Sequence, residues 1–276
     1  MTDSSGTSGN TCYRHPDRQS FVLCQRCGRT ICPACQTQAA VGVHCPECVN
    51  EARASAPRTK SRARTAFRSS SDQPVITYSI IAVTVLVYLL QWVSGNALTR
   101  EIIYAPYLTV VEPWRMFTSI FAHASPVHLL FNMFSLYIFG PVLERALGRA
   151  RFVVLYLLAG FGGSVAVLLL APMTNVLGAS GAIFGLMGAF FIIQRSFGGT
   201  NRSLLIIIGL NLVFPFLVGG NISWQAHVGG LIAGGLAALI YTKTRNRRQK
   251  NQQILLLVGL AAALVAIVLV RVFVIG

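Results

Sequence analysis

The sequence predicts an all-α polytopic membrane protein with a small Cys/His-rich domain ahead of its spans, on three observations. Apolar residues make up 54% of the 276-residue chain and charged residues 11%, where a soluble domain carries about a quarter charged. The apolar residues fall in seven runs, at 76–93, 127–142, 151–170, 178–193, 204–218, 225–241 and 254–275. Ahead of them, four pairs of Cys or Cys/His, each with two intervening residues, lie between Cys12 and Cys48. The formal net charge of +15 would suggest nucleic acid in a soluble protein. Here most Lys and Arg flank hydrophobic runs, where they set orientation and meet anionic lipid, so no nucleic acid is expected.

Taken in order, residues 1–11 are Ser/Gly-rich and read as a disordered N-terminus. Residues 12–49 hold the pairs Cys12/His15, Cys24/Cys27, Cys32/Cys35 and Cys45/Cys48. Zinc takes four such ligands in a tetrahedron, and a two-residue gap lets one turn offer two of them. Eight ligands therefore imply two structural zinc ions, with no open coordination position and so no chemistry. A disulfide framework fits badly, because seven cysteines leave one over. The spacing resembles B-box-type zinc fingers, which implies cross-bracing: first and third pairs on one ion, second and fourth on the other. Sequential pairing, and His44 in place of Cys45, stay open at this level. The expected role is folding of the module and binding of a cytosolic protein partner.

Residues 50–74 form a linker with Arg53, Arg58, Lys60, Arg62, Arg64 and Arg68, placed to lie on lipid headgroups before the first span. No secretory leader is visible. Several of the apolar runs are shorter than the roughly 20 residues of a full span and read as short, tilted or entered from a dipping loop. Basic residues in alternate loops (Arg145, Arg149 and Arg151; Arg195 and Arg202; Lys243 to Lys250) share the side of the linker, against Arg100 and Arg115 opposite. The N-terminus and zinc module are then cytoplasmic, the C-terminus is extracytoplasmic, and a multi-pass protein of the plasma membrane is expected.

That topology brings four polar groups to one depth near the outer surface. Ser180 opens the fourth run, His227 opens the sixth, and His128 and Asn132 lie one turn apart at the start of the second. Each has a bland reading, in close packing or a hydrogen bond to a neighbouring helix. Their convergence favours a cavity lined for chemistry. Gly181/Gly185 and Gly230/Gly234 are i,i+4 pairs that let the fourth and sixth helices approach, bringing Ser180 within reach of His227. None of the eight acidic residues falls at that depth, so a Ser-His dyad is expected rather than a triad. His227 would take the Ser180 proton, and His128, Asn132 and the Ser180 N–H would face the oxyanion.

From about residue 76 to 241 the chain resembles the rhomboid intramembrane serine proteases. The matching motifs are Trp114-Arg115, His128-x-x-x-Asn132, Gly178-x-Ser180-Gly181 and Ala226-His227-x-x-Gly230-x-x-x-Gly234. The resemblance implies a six-helix core over 75–243, with a seventh helix in 244–276. It implies a water-filled cavity and cleavage of transmembrane protein substrates near their outer ends, with no metal at the active site. Ser180 is then the nucleophile, His227 the base, and His128 and Asn132 the oxyanion donors. It also implies structural roles for His123 and for Glu144-Arg145. Phe184 departs from the tyrosine that stacks on the histidine in well-known bacterial members, and the seventh span is more typical of eukaryotic secretory-pathway members. A rhomboid-like pseudoprotease, or a scaffold that binds membrane proteins, is the alternative. A transporter would carry intramembrane acids or a broken-helix site, and an anchored adaptor would need a single span.

Overall fold

In the computed structural model the chain divides into two units, 1–62 and 63–276. The structure describes residues 10–39, 41–55, 73–199, 202–218 and 222–275. The expected disordered tail (apart from residues 10 and 11) and most of the expected linker lie outside these residues.

The first unit is built from two small antiparallel hairpins. Strands β1 (Thr11–Cys12) and β2 (His15–Gln19) form one, and β3 (Thr37–Gln38) and β4 (Val43–His44) form the other; helix α1 (Pro46–Ser55) follows. Its interior consists of Ile31 and six cysteines, each at most 3% exposed. A core this small buries little apolar surface, so a fold of this size ordinarily needs a further source of stability.

The second unit is helical, as composition dictates: with no water in a bilayer interior, each span satisfies its own backbone polar groups. The long helices are α2 (Val75–Val93), α5 (Pro126–Leu147), α6 (Arg149–Leu170), α7 (Ser180–Arg195), α8 (Arg202–Val218), α9 (Trp224–Lys243) and α10 (Lys250–Val270). Two short helices, α3 (Ala97–Ile102) and α4 (Arg115–Thr118), lie in the loop between α2 and α5. Among the described residues, four stretches are long and apolar enough to span a bilayer: α2, α5, α6 and the last one, 247–274. Helix α7 is short, yet ten of its sixteen residues are buried. It is the centre of the bundle, enclosed by α6, α9 and α5. Helix α10 is the opposite case: Gln253 is its one buried residue, Leu257, Leu260, Leu264 and Val268 pack against the bundle in part, and most of the others face outward, as a lipid-exposed span requires.

Helix α5 runs five residues past the apolar run 127–142, because Glu144 turns inward. Its carboxylate is 2% exposed and accepts from the Ile76 N–H at 2.9 Å, the Thr77 N–H at 2.7 Å and the Thr77 hydroxyl at 2.7 Å. These are unsatisfied donors at the N-terminus of α2, and an anion there also suits the helix dipole. Glu144→Ala is therefore expected to destabilise the membrane unit by about 2–3 kcal/mol, the cost of orphaning donors bonded to a charged group. Reversible unfolding in mixed micelles reads this directly, and an unchanged midpoint would remove the cap from the account.

At the same end, Gln253 joins three elements. Its carbonyl accepts from Arg151 Nε at 2.8 Å, and its amide donates to Thr244 at the carbonyl oxygen (3.1 Å) and the hydroxyl (2.7 Å). The seventh helix is thus held to α6 and to the end of α9 by a buried polar clasp, which in an apolar medium has no water to compete for it. At the opposite end, Arg115 is 4% exposed and gathers the α2–α5 loop, pairing with Glu101 and Glu112 and donating to the Arg100 and Ile103 carbonyls. Ser164 of α6 donates to the Met116 carbonyl at 2.8 Å and fixes that loop to the bundle.

Candidate functional site

The site forms where α5, α7 and α9 begin, since these three helices run in the same direction and present their first turns at one end. Helix α7 starts at Ser180 after a backbone that glycine makes possible. Gly178 has φ +123°, and its N–H donates to the Ser119 carbonyl at 2.9 Å. A Cβ there would lie 2.7 Å from His128 Cε1 and 2.8 Å from Nε2. The His128 ring therefore fills the space that a side chain at 178 would take.

Ser180 Oγ and His227 Nε2 are 2.9 Å apart. That distance is a full hydrogen bond between two side chains 47 residues apart in sequence. Two features set it. Helix α9 packs on α7 through glycines, so closely that a Cβ on Gly230 would lie 1.9 Å from the Gly181 carbonyl oxygen. Phe184, one turn below Ser180, stacks on the imidazole with ring centroids 4.2 Å apart and planes 9° apart. His227 is 6% exposed, and its Nδ1 is buried with no partner among the described residues. No carboxylate orients this histidine there; ring stacking and helix packing do.

His128 lies in the first turn of α5, where its N–H is capped by the Ser125 hydroxyl at 3.2 Å. Its Nδ1 faces the Ala124 N–H at 3.5 Å. Accepting there leaves the proton on Nε2, the nitrogen that lies against Gly178 beside the serine. Asn132 is one turn further along the same face, 6% exposed, and its amide donates to the His128 carbonyl at 2.8 Å. Ser180, His227 and His128 are thus brought together, with Asn132 directly behind His128. His123 packs on the His128 ring at 4.9 Å between centroids.

Two members of this frame were not expected from sequence. The Gln91 side chain, 2% exposed in α2, accepts from the His123 N–H at 3.0 Å and donates to the His123 carbonyl at 3.3 Å. Ser119 supplies the carbonyl that holds Gly178. A lone amide within an apolar helix is the signal that could have found Gln91; nothing marks a backbone carbonyl.

In the first unit the Cys and His side chains gather in two clusters, Cys12/His15/Cys32/Cys35 and Cys24/Cys27/Cys45/Cys48, with the ligand atoms of each within 4.8 Å of one another. The first and third pairs share one cluster, and the second and fourth share the other. His15 Nδ1 is 3.7, 3.5 and 3.4 Å from the sulfurs of Cys12, Cys32 and Cys35, and the Cys27 and Cys45 sulfurs are 3.7 Å apart. A tetrahedron with zinc–sulfur bonds of about 2.3 Å has edges of about 3.8 Å, slightly less where nitrogen replaces sulfur, so both clusters fit that ion. Gly28, at φ +73°, lets the chain turn so that its N–H bonds the Cys24 carbonyl at 2.8 Å.

The thiols are electrostatically prepared for a cation. Burial opposes ionisation of Cys12 and Cys24, yet backbone N–H groups outweigh it and hold both down at about 6. Those N–H groups belong to Cys32 and Arg14 beside the first, and to Cys45, Cys27 and Arg26 beside the second. Burial, then the neighbouring thiols, push Cys35 up to about 11 and Cys48 up to about 12. Four close sulfurs cannot all ionise without a positive ion among them, and a bound metal ion deprotonates its thiols outright.

Comparison with known proteins agrees with the membrane unit. The Rhomboid domain model matches residues 111–244, a stretch that contains Ser180, His227, His128 and Asn132. The chain is 36% identical over 181 residues to "Rhomboid protease GluP" of Bacillus subtilis, covering 61% of this chain and 35% of that protein. It is 34% identical over 184 residues to "Putative rhomboid protease YdcA" of the same organism, covering 63% of this chain and 92% of that one. With "RHOMBOID-like protein 6, mitochondrial" of Arabidopsis thaliana it shares 39% over 133 residues, which covers 45% of this chain and 42% of the relative. The chain therefore spans about a third of the first relative and nearly all of the second.

Proposed function

The chain belongs to the rhomboid family, and from that premise we propose that it is an intramembrane serine endopeptidase working by a Ser180–His227 dyad. The observation that carries this reading is the 2.9 Å contact between Ser180 Oγ and His227 Nε2. The hydroxyl donates to Nε2 and, as it attacks the scissile carbonyl, gives up its proton there; the same nitrogen then protonates the leaving amine. Negative charge on the carbonyl oxygen meets the Nε2–H of His128 and the backbone N–H of Ser180. The Asn132 amide has two hydrogens, one of them given to the His128 carbonyl, and offers the other.

The substrates are transmembrane segments of other proteins, cut near their extracytoplasmic ends where small or helix-breaking residues free the backbone. The basic loops support a reading with the zinc module cytoplasmic and the site opening to the extracytoplasmic face of the plasma membrane. The test is cleavage of a panel of single-span substrates in liposomes. Cut products at the outer end support the proposal. Tight binding of the same spans without cleavage by any preparation would favour a pseudoprotease or membrane-protein scaffold instead.

Phe184 positions the base by stacking on its ring. An aromatic stack is worth about 0.5–1.5 kcal/mol, so Phe184→Leu is expected to slow cleavage by about two- to tenfold, while Phe184→Tyr stays near wild type. The measurement is kcat on one substrate, with equal folding of both variants checked by their unfolding midpoints.

The two clusters of the first unit hold structural zinc, one ion each. Elemental analysis is expected to find two equivalents, and a strong chelator should melt the module while cleavage of a short substrate continues. Loss of cleavage on chelation would assign the module a role in activity. Its outer surface is a binding face for a cytosolic protein partner.

A further inference from the structure

The two clusters share a spacing but differ in access. Six of the seven cysteines are at most 3% exposed, whereas Cys27 is exposed. In the first cluster every sulfur is buried, and the remaining ligand is the His15 imidazole. In the second, a molecule diffusing in from solvent meets the Cys27 sulfur first. Arg29 Nε donates to that sulfur at 3.3 Å, and Arg29 Nη2 reaches the Cys45 sulfur at 3.6 Å. The guanidinium is itself held in place over the Tyr13 ring, 4.4 Å from its centroid, and by Glu47 at 3.8 Å.

We propose that Cys27 is a site of reversible oxidation by hydroperoxides, which opens the second cluster and releases its metal ion. The inference rests on the two-ion reading given above. In the first step the Cys27 thiolate attacks the terminal peroxide oxygen: a sulfur–oxygen bond forms, the O–O bond breaks, and hydroxide (alkoxide from an organic hydroperoxide) leaves beside the Arg29 guanidinium and is protonated by solvent. The sulfur is oxidised by two electrons to a sulfenic acid and the peroxide is reduced. In the second step Cys45, whose sulfur is 3.7 Å away, attacks the Cys27 sulfur. The S–S bond forms, the S–O bond breaks, and hydroxide leaves to be protonated by solvent. Two of the four ligands are then lost, and the ion departs from Cys24 and Cys48. A dithiol reductant restores both sulfurs and is itself oxidised to a disulfide.

The experiment uses the full chain in detergent, with zinc counted before and during treatment with hydrogen peroxide. One of the two equivalents is expected to leave first, about tenfold or more ahead of the other, with Cys27–Cys45 as the first disulfide found by peptide mapping. A dithiol plus zinc should restore both equivalents. Cys27→His, which offers a nitrogen ligand that peroxide leaves intact, should lose the fast phase; the wild-type mapping stands without this variant. A protein that holds no zinc before peroxide overturns the two-ion reading and the inference with it. A protein whose two ions leave at one rate, or whose first oxidised cysteine is not Cys27, overturns the inference alone.

Discussion

Ser180→Ala is expected to reduce cleavage by about 10⁴–10⁶-fold, the loss seen when a serine protease is deprived of its nucleophile. Labelling by a fluorophosphonate probe should vanish with it. His227→Ala should cost nearly as much, because Oγ then loses the acceptor 2.9 Å away. The two changes together should be no worse than either alone, since serine and histidine act as one unit. The dyad also makes a negative prediction. His227 Nδ1 has no carboxylate partner among the described residues, so replacing Glu101 or Glu112 singly should leave a far smaller effect than either core change. Both act on Arg115 and the loop it gathers. Cleavage that survives Ser180→Ala, or falls by a comparable factor in Glu112→Gln with folding intact, would sink the dyad.

What made the core residues legible was depth. A polar group inside an apolar run is costly, so Ser180, His227, His128 and Asn132 stood out once the basic loops had given each run an expected direction. Glycine pairs announced the approach of α7 to α9, because small residues are the means by which helices meet in lipid. The faces of α6 and α10 were not legible in the same way. Lipid is as apolar as leucine, so no hydrophobic stripe separates a buried face from an outer one. Twelve residues of α6 are buried and one of α10, and hydrophobicity alone does not tell the two apart. Gln253, and the partners of Glu144, were hidden for a related reason. Gln253 and Glu144 each sit at the end of an apolar run, where a polar residue ordinarily faces headgroups and water; only the fold turns them inward, onto Thr244 and onto the start of α2. In the first unit, spacing named the Cys and His side chains that cluster, but the exposure of Cys27 depends on how the hairpins close over the other sulfurs.

Gly230→Ala is expected to damage the site more than any change outside the reacting groups. The added methyl would have to occupy a point 1.9 Å from the Gly181 carbonyl oxygen and 3.1 Å from its Cα. The first atom belongs to the helix backbone and cannot swing aside, so α9 and α7 must separate by an ångström or more. Overpacking of this kind costs about 1–3 kcal/mol and occasionally more, which lowers the unfolding midpoint in micelles. The catalytic cost is larger. Gly181 adjoins Ser180 and Gly230 is three residues from His227, so the separation opens the bond between them, and a displacement of about 1 Å at reacting groups costs about 10²-fold. The contrast is Gly235, on the same helix, where a Cβ meets nothing within 4 Å. Gly235→Ala should keep full cleavage and gain slightly in stability, since alanine is favoured over glycine in a helix by about 1 kcal/mol. Equal activity in the two variants would mean that close packing of α7 on α9 does not set the Ser180–His227 distance.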